Sequence, residues 1–241
     1  MRNDTGQFIV IDGVAGSGKS TLIRAIKAKL EEKGLKIFDL NDWTRENDKP
    51  PKFKDIADYD VYFTFEPTKY WVGAAIRHEL SYSGASGDIV AQAFSLDRHI
   101  QYVRLIAPAL AAGKIIIQDR SVSSSIVYQP IMKEAPSLED LIALPGNALA
   151  LTYPPDHLIL THIDPEKLQT RLDTRDDDSK GVFENIDYLK KVDQRFRSEW
   201  FSQLFTSRGT CVHDFSTDQP KAQMEEHITK IITSILNKNY G

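Results

Sequence analysis

Gly13-Val14-Ala15-Gly16-Ser17-Gly18-Lys19-Ser20, followed by Thr21, is the stretch on which the reading of this chain turns. It fits G-x-x-x-x-G-K-[ST], in which glycines let successive backbone N–H groups face an anion. The lysine then reaches the terminal phosphates, and the serine hydroxyl meets Mg²⁺. Gly13, Gly16, Ser17, Gly18, Lys19, Ser20 and Thr21 are therefore the expected donor-binding residues, with ATP and Mg²⁺ as the expected cofactors. The flanks supply the context this loop requires. Phe8-Ile9-Val10-Ile11 is apolar and β-branched enough for a buried strand, and Leu22, Ile23, Ile26 and Leu30 return at helical spacing. Strand, Gly-rich turn and helix N-terminus in that order put bound phosphate at the positive end of the helix. The plain alternative is a Gly-rich turn with no ligand.

The bulk composition narrows the setting. A chain of 241 residues that is 41% apolar fills a substantial core. A formal charge of -4 gives no general nucleic-acid footprint. There is no twenty-residue apolar run, and Met1-Arg2-Asn3-Asp4 lacks the apolar segment of a secretory signal. Cys211, the single cysteine, has no partner for an internal disulfide, which suits a reducing compartment. A cytoplasmic protein without membrane or nucleic-acid partners is the expectation.

Along the chain, Gly34 stops the first helix and Leu35 to Leu40 reads as a short strand. Residues 41–60, polar and carrying Pro50-Pro51, read as a solvated surface excursion. Val61 to Phe65 is extended and ends at Glu66-Pro67-Thr68. A short helix around Trp71 to Leu80 precedes a Gly/Ser-rich linker. From Ile89 a long helix runs toward Ala112, bent at Pro108 and closed by Gly113. Lys114 to Gln118 is another buried strand, followed at once by Asp119-Arg120. Residues 130–155 carry no clear periodicity. Leu158 to Ile163 is a strand, and the helix after Asp164-Pro165 delivers Arg171 and Arg175 ahead of an acidic run. Thr210 to His213 is a last short strand, and Met224, Ile228, Ile231 and Ile235 mark a terminal helix. The alternation predicts a three-layer α/β/α fold with a five-stranded parallel sheet and a small Arg-bearing lid.

Phosphoryl transfer depends on neutralising negative charge more than on a general base. Lys19 and Ser20 meet that need, and Asp119, just past an apolar strand, is placed for Mg²⁺ or its water. A strand-capping carboxylate is the bland alternative. Ser20, Glu66 and Asp119 all fall past strand carboxyl ends, where an open parallel sheet binds its ligand. Arg77, Arg98 and Arg120 lie at or near that crevice. Arg171 and Arg175 sit four apart on one helix face, positioned to close over the transferring group. Any one of these reads as a surface arginine. Together they favour a second anionic substrate. Phe94 and Arg98, four apart, suit a planar base, although Phe94 reads equally well as an ordinary core aromatic.

Over nearly its whole length the chain resembles thymidylate kinases, especially archaeal and phage-like members. The resemblance rests on Phe8 to Gly13 with the phosphate loop, Phe63 to Thr68 followed by Gly73 to Arg77, and Phe94 to Arg98. It continues through Ile106 to Lys114, Asp119 to Gln129, Pro154 to Leu158, Arg171 to Arg175 and Phe183-Glu184. It implies one nucleoside monophosphate kinase domain over 1–241, with acceptor-binding helices at about 66–112 and a lid at about 171–184. It also implies phosphoryl transfer from ATP to dTMP, small-molecule nucleotide partners and a homodimer as an assembly open to the chain. By the same resemblance Phe94 stacks on the pyrimidine, Arg98 meets its carbonyl edge and Arg120 holds the acceptor phosphate. Ser125 and Gln129 lie against base and sugar, Glu66 is the acid at a strand end, and Arg171 and Arg175 supply the catalytic cation.

Four features depart from the family pattern. Phe65 stands where an arginine usually precedes Glu-Pro, leaving Lys69 or Arg77 to meet the acceptor phosphate. Ala15 replaces an acid in the phosphate loop, leaving Asp12, Glu66 or Asp119 to orient acceptor and metal. Ser121 replaces an aromatic that screens the sugar 2′ position. The insertions at 41–60 and 130–155 are large. A kinase of relaxed acceptor choice is therefore one alternative. A non-kinase P-loop ATPase or GTPase is another, and a nucleotide-binding module with decayed chemistry a third. Against a GTPase, Asn237-Lys238-Asn239 lacks the aspartate of a guanine-reading segment.

Overall fold

A computed structural model describes residues 5–80, 84–173 and 186–240. Strand β1 (Gln7–Gly13) feeds the phosphate loop and helix α1 (Lys19–Glu32). β2 (Ile37–Asp39) leads into α2 (Leu40–Glu46), whose start is capped by Asp39 accepting from the Asn41 N–H at 2.8 Å. β3 (Val61–Phe65) and α3 (Trp71–Ala75) follow, the latter continuing as a π turn through Leu80. α4 (Gly87–Gln101) passes through a π turn, Tyr102–Ile106, into α5 (Ala107–Ala111). The irregularity lies before Pro108 rather than at it, because proline has no N–H to complete the turn behind it. β4 (Ile115–Asp119), α6 (Val122–Tyr128), α7 (Leu138–Ala143), α8 (Pro145–Thr152) and β5 (His157–His162) come next. The chain ends with α9 (Pro165–Asp173), α10 (Ile186–Phe196), α11 (Glu199–Thr206), β6 (Cys211–Ser216) and α12 (Lys221–Tyr240). Arg175 and most of the expected lid lie outside the described residues.

All strand pairings are parallel, in the order β2-β3-β4-β1-β5-β6. The sheet has six strands where five were expected, because both short outer strands pair. β6 registers with β5 from His157–Cys211 to His162–Ser216 although only Phe215 of its residues is buried. An edge strand buries so little that its apolar signal is faint. The inner strands show the period of two directly. Phe8, Val10, Tyr62, Ile116, Leu158 and Leu160 face one core, while Ile9, Ile11, Val61, Phe63, Ile117 and Ile159 face the other. The second core is closed by Leu22, Ile26 and Leu30 of α1 and by Met224, Ile228 and Ile232 of α12.

Residues 41–60 are not a solvated loop. Trp43, Phe53 and Tyr59 pack around Phe38 and Tyr62 with ring centroids 5.6–6.4 Å apart, and the Tyr62 hydroxyl donates to the Ile56 carbonyl at 2.7 Å. Irregularly spaced aromatics among charges show no helical or strand period, yet they cover the sheet beside β2. Residues 130–155 supply α7 and α8. A Cβ at Gly146 would come within 1.7 Å of the Ser95 carbonyl, so glycine is what lets α8 cross α4 this closely.

His162, at the end of β5, ties α10 and β6 together. Its Nε2 is 2.7 Å from Asp214 and its Nδ1 3.7 Å from Asp193. Burial lowers the His162 pKa, but the nearby Asp193 carboxylate and the hydrogen bond to Asp214 outweigh it and the net shift is upward, with Arg197 opposing. A histidine whose pKa is raised by folding contributes stability that is full below its unfolded value and lost as pH rises through the folded one. The melting temperature should therefore fall as pH rises from about 6.5, the ordinary imidazole value, through the raised folded one. Burial shifts His213 the opposite way, so the effect is read as the difference between wild type and His162→Gln. Identical pH profiles for the two proteins would rule this linkage out.

Candidate active site

The loop after β1 is shaped by close backbone contact. Gly13 has φ 140°, and a Cβ there would lie 2.3 Å from the Thr161 hydroxyl, so β1 and β5 approach closely only with glycine at this position. Ser17 Oγ lies 2.5 Å from Thr161 Oγ1, which donates to the Asp12 carbonyl at 3.0 Å. Gly18 caps α1 with no side-chain hydrogen bond, and the first turn holds no acid. The N-terminus of α1 thus has no side-chain cap or acid to compete with an anion. Lys19 Nζ donates to the carbonyls of Gly13 and Val14 at 3.0 and 2.7 Å, holding the ammonium at the loop.

Two open cavities, each of about 580 Å³, meet here. One is lined by the loop from Ala15 to Thr21 together with Arg171, Lys221 and Met224. The other lies against Phe65, Glu66, Lys69 and Arg77. Ser20, Arg24, Asp119 and Arg120 line both. Arg171 donates from Nη2 to the Thr217 carbonyl at 3.0 Å and from Nη1 to Gly16 at 3.4 Å, so it overlies the phosphate loop.

The three candidate acids differ sharply. Asp12 is 0% exposed, and its carboxylate accepts from the Gly13 N–H, Ser123 and Ser124 at 2.8, 2.5 and 2.7 Å. It is saturated by the protein. Glu66 is buried against Arg98. Asp119 lines both cavities, and its Oδ1 is buried without a hydrogen-bond partner among the described residues. Burial pushes the Asp119 carboxyl above its ordinary value, opposed by the charges of Lys19 and Arg120. A cation with hard oxygen preference would reverse that shift.

Arg120 follows with φ 64°, a left-handed conformation uncommon outside glycine, held by its N–H to the Ile11 carbonyl at 3.0 Å. Nη1 donates to Ser124 at 2.9 Å, and the guanidinium lies 5.3 Å from the Tyr128 ring centroid. The Tyr128 hydroxyl in turn accepts the Ala15 N–H at 3.1 Å. Lys69 and Arg77 sit 5.7 and 5.2 Å from the centroid of Phe65, within cation–π range. Ser121 is buried and caps α6 through the Ser123 N–H, and it lines neither cavity.

Arg98 is 1% exposed and belongs to a buried network rather than to a cavity wall. Nε and Nη2 donate to Glu66 Oε2 at 2.9 and 2.7 Å, Nη2 also donates to Ser125 at 2.8 Å, and Nη1 donates to Asn147. Gln118 donates to Glu66 Oε1 at 3.1 Å and to the Arg120 carbonyl at 2.9 Å. Burial pushes Glu66 up to about 7, with Arg98 pulling it back. Gln129 is buried with an unpartnered Oε1, and Phe94 is half-buried on α4. Asn147, Gln118, Ser123 and Ser124 went unnoticed in the sequence, since no motif or period marks them.

The loop, the parallel sheet and the helix N-terminus define a P-loop α/β/α protein, a class that cradles nucleotide phosphates. The family model described as thymidylate kinase matches residues 52–208. A thymidylate kinase from Caldicellulosiruptor saccharolyticus is 30% identical over 97% of this chain and 98% of its own length. Another, from Desulfotalea psychrophila, is 29% identical over 85% of this chain and 87% of its own. This chain belongs to the thymidylate kinase family. The solved thymidylate kinase of Candida albicans, described as having broad substrate specificity, shares the fold. Its TM-score is 0.62 at 19% identity, covering 100% of this chain and 96% of that one. A shorter match, residues 9–60 to a viral superfamily 1 RNA helicase core, spans the phosphate loop and its flanks.

Arg98→Met should strand Glu66 in the interior and destabilise the protein by about 3–5 kcal/mol at pH 8. The loss should shrink toward pH 5, where Glu66 takes up a proton in the folded state. Arg98→Met with Glu66→Gln should recover part of it. Chemical denaturation at the two pH values measures all three quantities.

Proposed function

We propose that this chain transfers the terminal phosphoryl group of ATP to dTMP, giving ADP and dTDP. The observation that carries the reading is the shared wall of Ser20, Arg24, Asp119 and Arg120, along which a donor and an acceptor phosphate can meet. Family membership supports thymidylate as the acceptor. An oxygen of the acceptor phosphate bonds to the terminal phosphorus as the bond to the bridging oxygen of ATP breaks. Lys19, the N–H groups of the loop, Arg120 and Arg171 are the charges that meet the spreading negative charge, and Arg175 joins them by sequence. Ser20 and the unpartnered Asp119 Oδ1 fit Mg²⁺, which when bound neutralises phosphate oxygens. Saturation of Asp12 and burial of Glu66 favour Asp119 as the working acid in place of the one absent at Ala15.

On the acceptor side, Arg120 holds the phosphate and Lys69 with Arg77 supply the cation missing at Phe65. Phe94 stacks on the base. Four of the five N–H donors of Arg98 are already engaged, so its last one and the Gln129 carbonyl read the base edge, with Ser125 behind them. The chain acts as one kinase domain over 1–241, with acceptor helices at about 66–112 and a lid at about 171–184, in a reducing cytoplasm. No described helix is long and apolar enough to cross a membrane. Ile89, Leu96 and Val103 are exposed and seven residues apart on α4 and its extension, which favours a homodimer through that face. A wider acceptor range is the second reading, favoured by Phe65.

Incubation with Mg-ATP and a panel of dTMP, dUMP, UMP, dCMP, dGMP and dAMP, with ADP and diphosphate product measured separately, tests the reaction. Fast dTDP formation is expected, and ATP hydrolysis indifferent to every acceptor would sink the reading. Arg171→Ala and Arg175→Ala should each lower turnover by about a hundredfold or more, with ATP affinity changed far less. For the assembly, light scattering should report a dimer for wild type and a monomer for Leu96→Glu.

A further inference from the structure

At the opposite end of β5 from the phosphate loop, three side chains converge with no part in the reaction above. His157 lies directly across from Cys211 in the β5–β6 register, and His213 is two residues on, so all three share one face of the sheet. His157 Nδ1 is 2.9 Å from His213 Nε2, with the rings 5.2 Å apart at 36°. One ligand atom from each histidine and the Cys211 sulfur all lie within 4.8 Å of one another. Cys211 is exposed and the histidines half-buried, which leaves an entry path.

We propose that His157, Cys211 and His213 form a binding site for one zinc-class divalent ion, tying the edge strand β6 to β5. Two imidazoles and a thiolate make an N₂S set of the borderline-soft kind that zinc takes, and that Mg²⁺, which prefers oxygen, does not. Tetrahedral zinc with Zn–N bonds of about 2.0–2.1 Å places two nitrogens about 3.4 Å apart. The imidazoles therefore open by about half an ångström, and the metal replaces the proton they share. The Cys211 thiol loses its proton to solvent on binding. Three protein ligands leave the fourth position to water. About 13 Å of strand separates His157 from Thr161 beside the phosphate loop, so the site is distinct from the kinase chemistry.

The full chain without an affinity tag, reduced and stripped with a chelator, is titrated with Co²⁺ and with Zn²⁺. One equivalent should bind, with the intense thiolate-to-cobalt charge-transfer band and the visible bands of tetrahedral cobalt. Cys211→Ser should abolish the charge-transfer band, and His157→Gln and His213→Gln should each weaken binding at least tenfold. Zn²⁺ should raise the melting temperature of wild type by several degrees but not that of Cys211→Ser. Activity with Mg-ATP should survive in Cys211→Ser, which confirms that this variant is folded. No stoichiometric binding by wild type overturns the proposal. So does binding that Cys211→Ser leaves intact, or binding lost with Cys211 but indifferent to both histidine changes, which reduces the site to a lone thiol.

Discussion

The buried carboxylate of Asp12 is the interaction on which both halves of the site depend. It sits one residue before the phosphate loop and accepts hydrogen bonds from the first loop N–H and from two serines of α6. A buried carboxyl group is costly unless its polar atoms are met, so its three donors and the nearby Arg120 guanidinium, at 3.7 Å, are what allow it there. Because the donors come from β1 and from α6, the carboxylate fixes the phosphate loop relative to the start of α6. Arg120 lies between them. A single buried carboxylate thus sets the distance between the phosphate loop and Arg120.

Arg98 and Glu66 do a related task one layer behind. Their network spans α4, the end of β3, α6 through Ser125 and α8 through Asn147, and Gln118 links it to the Arg120 carbonyl. Arginine suits this position because its planar fork bonds three partners at once and stays charged when buried. The close crossing at Gly146 brings Asn147 within reach. Arg120, by contrast, keeps its guanidinium against an aromatic ring and a serine hydroxyl at a cavity wall. Two arginines near one crevice therefore differ in kind: one braces the wall and the other faces what binds there.

How much of this could be read in advance follows from how local each signal is. The phosphate loop, β1, β3, β4, β5 and α1 were legible because a parallel strand buried on both faces is nearly all apolar, and because the loop chemistry resides in consecutive residues. The cover built by Trp43, Phe53 and Tyr59 was not, since its aromatics meet Phe38 and Tyr62 only in three dimensions. Asn147 was hidden for the same reason: its role depends on α8 crossing α4, 49 residues from Arg98 in sequence. The surroundings of Ser121 were hidden in the same way. A small residue in place of an aromatic suggests space, but its hydroxyl turns inward to cap α6.

Phe65 shows how a lost charge is replaced without restoring the residue. An arginine at that position would present its guanidinium from the end of β3. Here the ring offers a flat negative face instead, and Lys69 and Arg77 rest near it from the segment that follows. Arg77 is also anchored at Nε by the Pro67 and Thr68 carbonyls at 2.9 and 3.1 Å, so its position is set by backbone. Lys69 Nζ donates to Asn41 Oδ1 at 2.5 Å, and partial desolvation together with the neighbouring Arg77 charge lowers its pKa. This cavity therefore carries two anchored cations, one on backbone carbonyls and one on the Asn41 side chain, where an arginine at the strand end would give one. The positive charge of this cavity is thus set by how α2, through Asn41, packs beside the segment after β3, rather than by one side chain at a strand end.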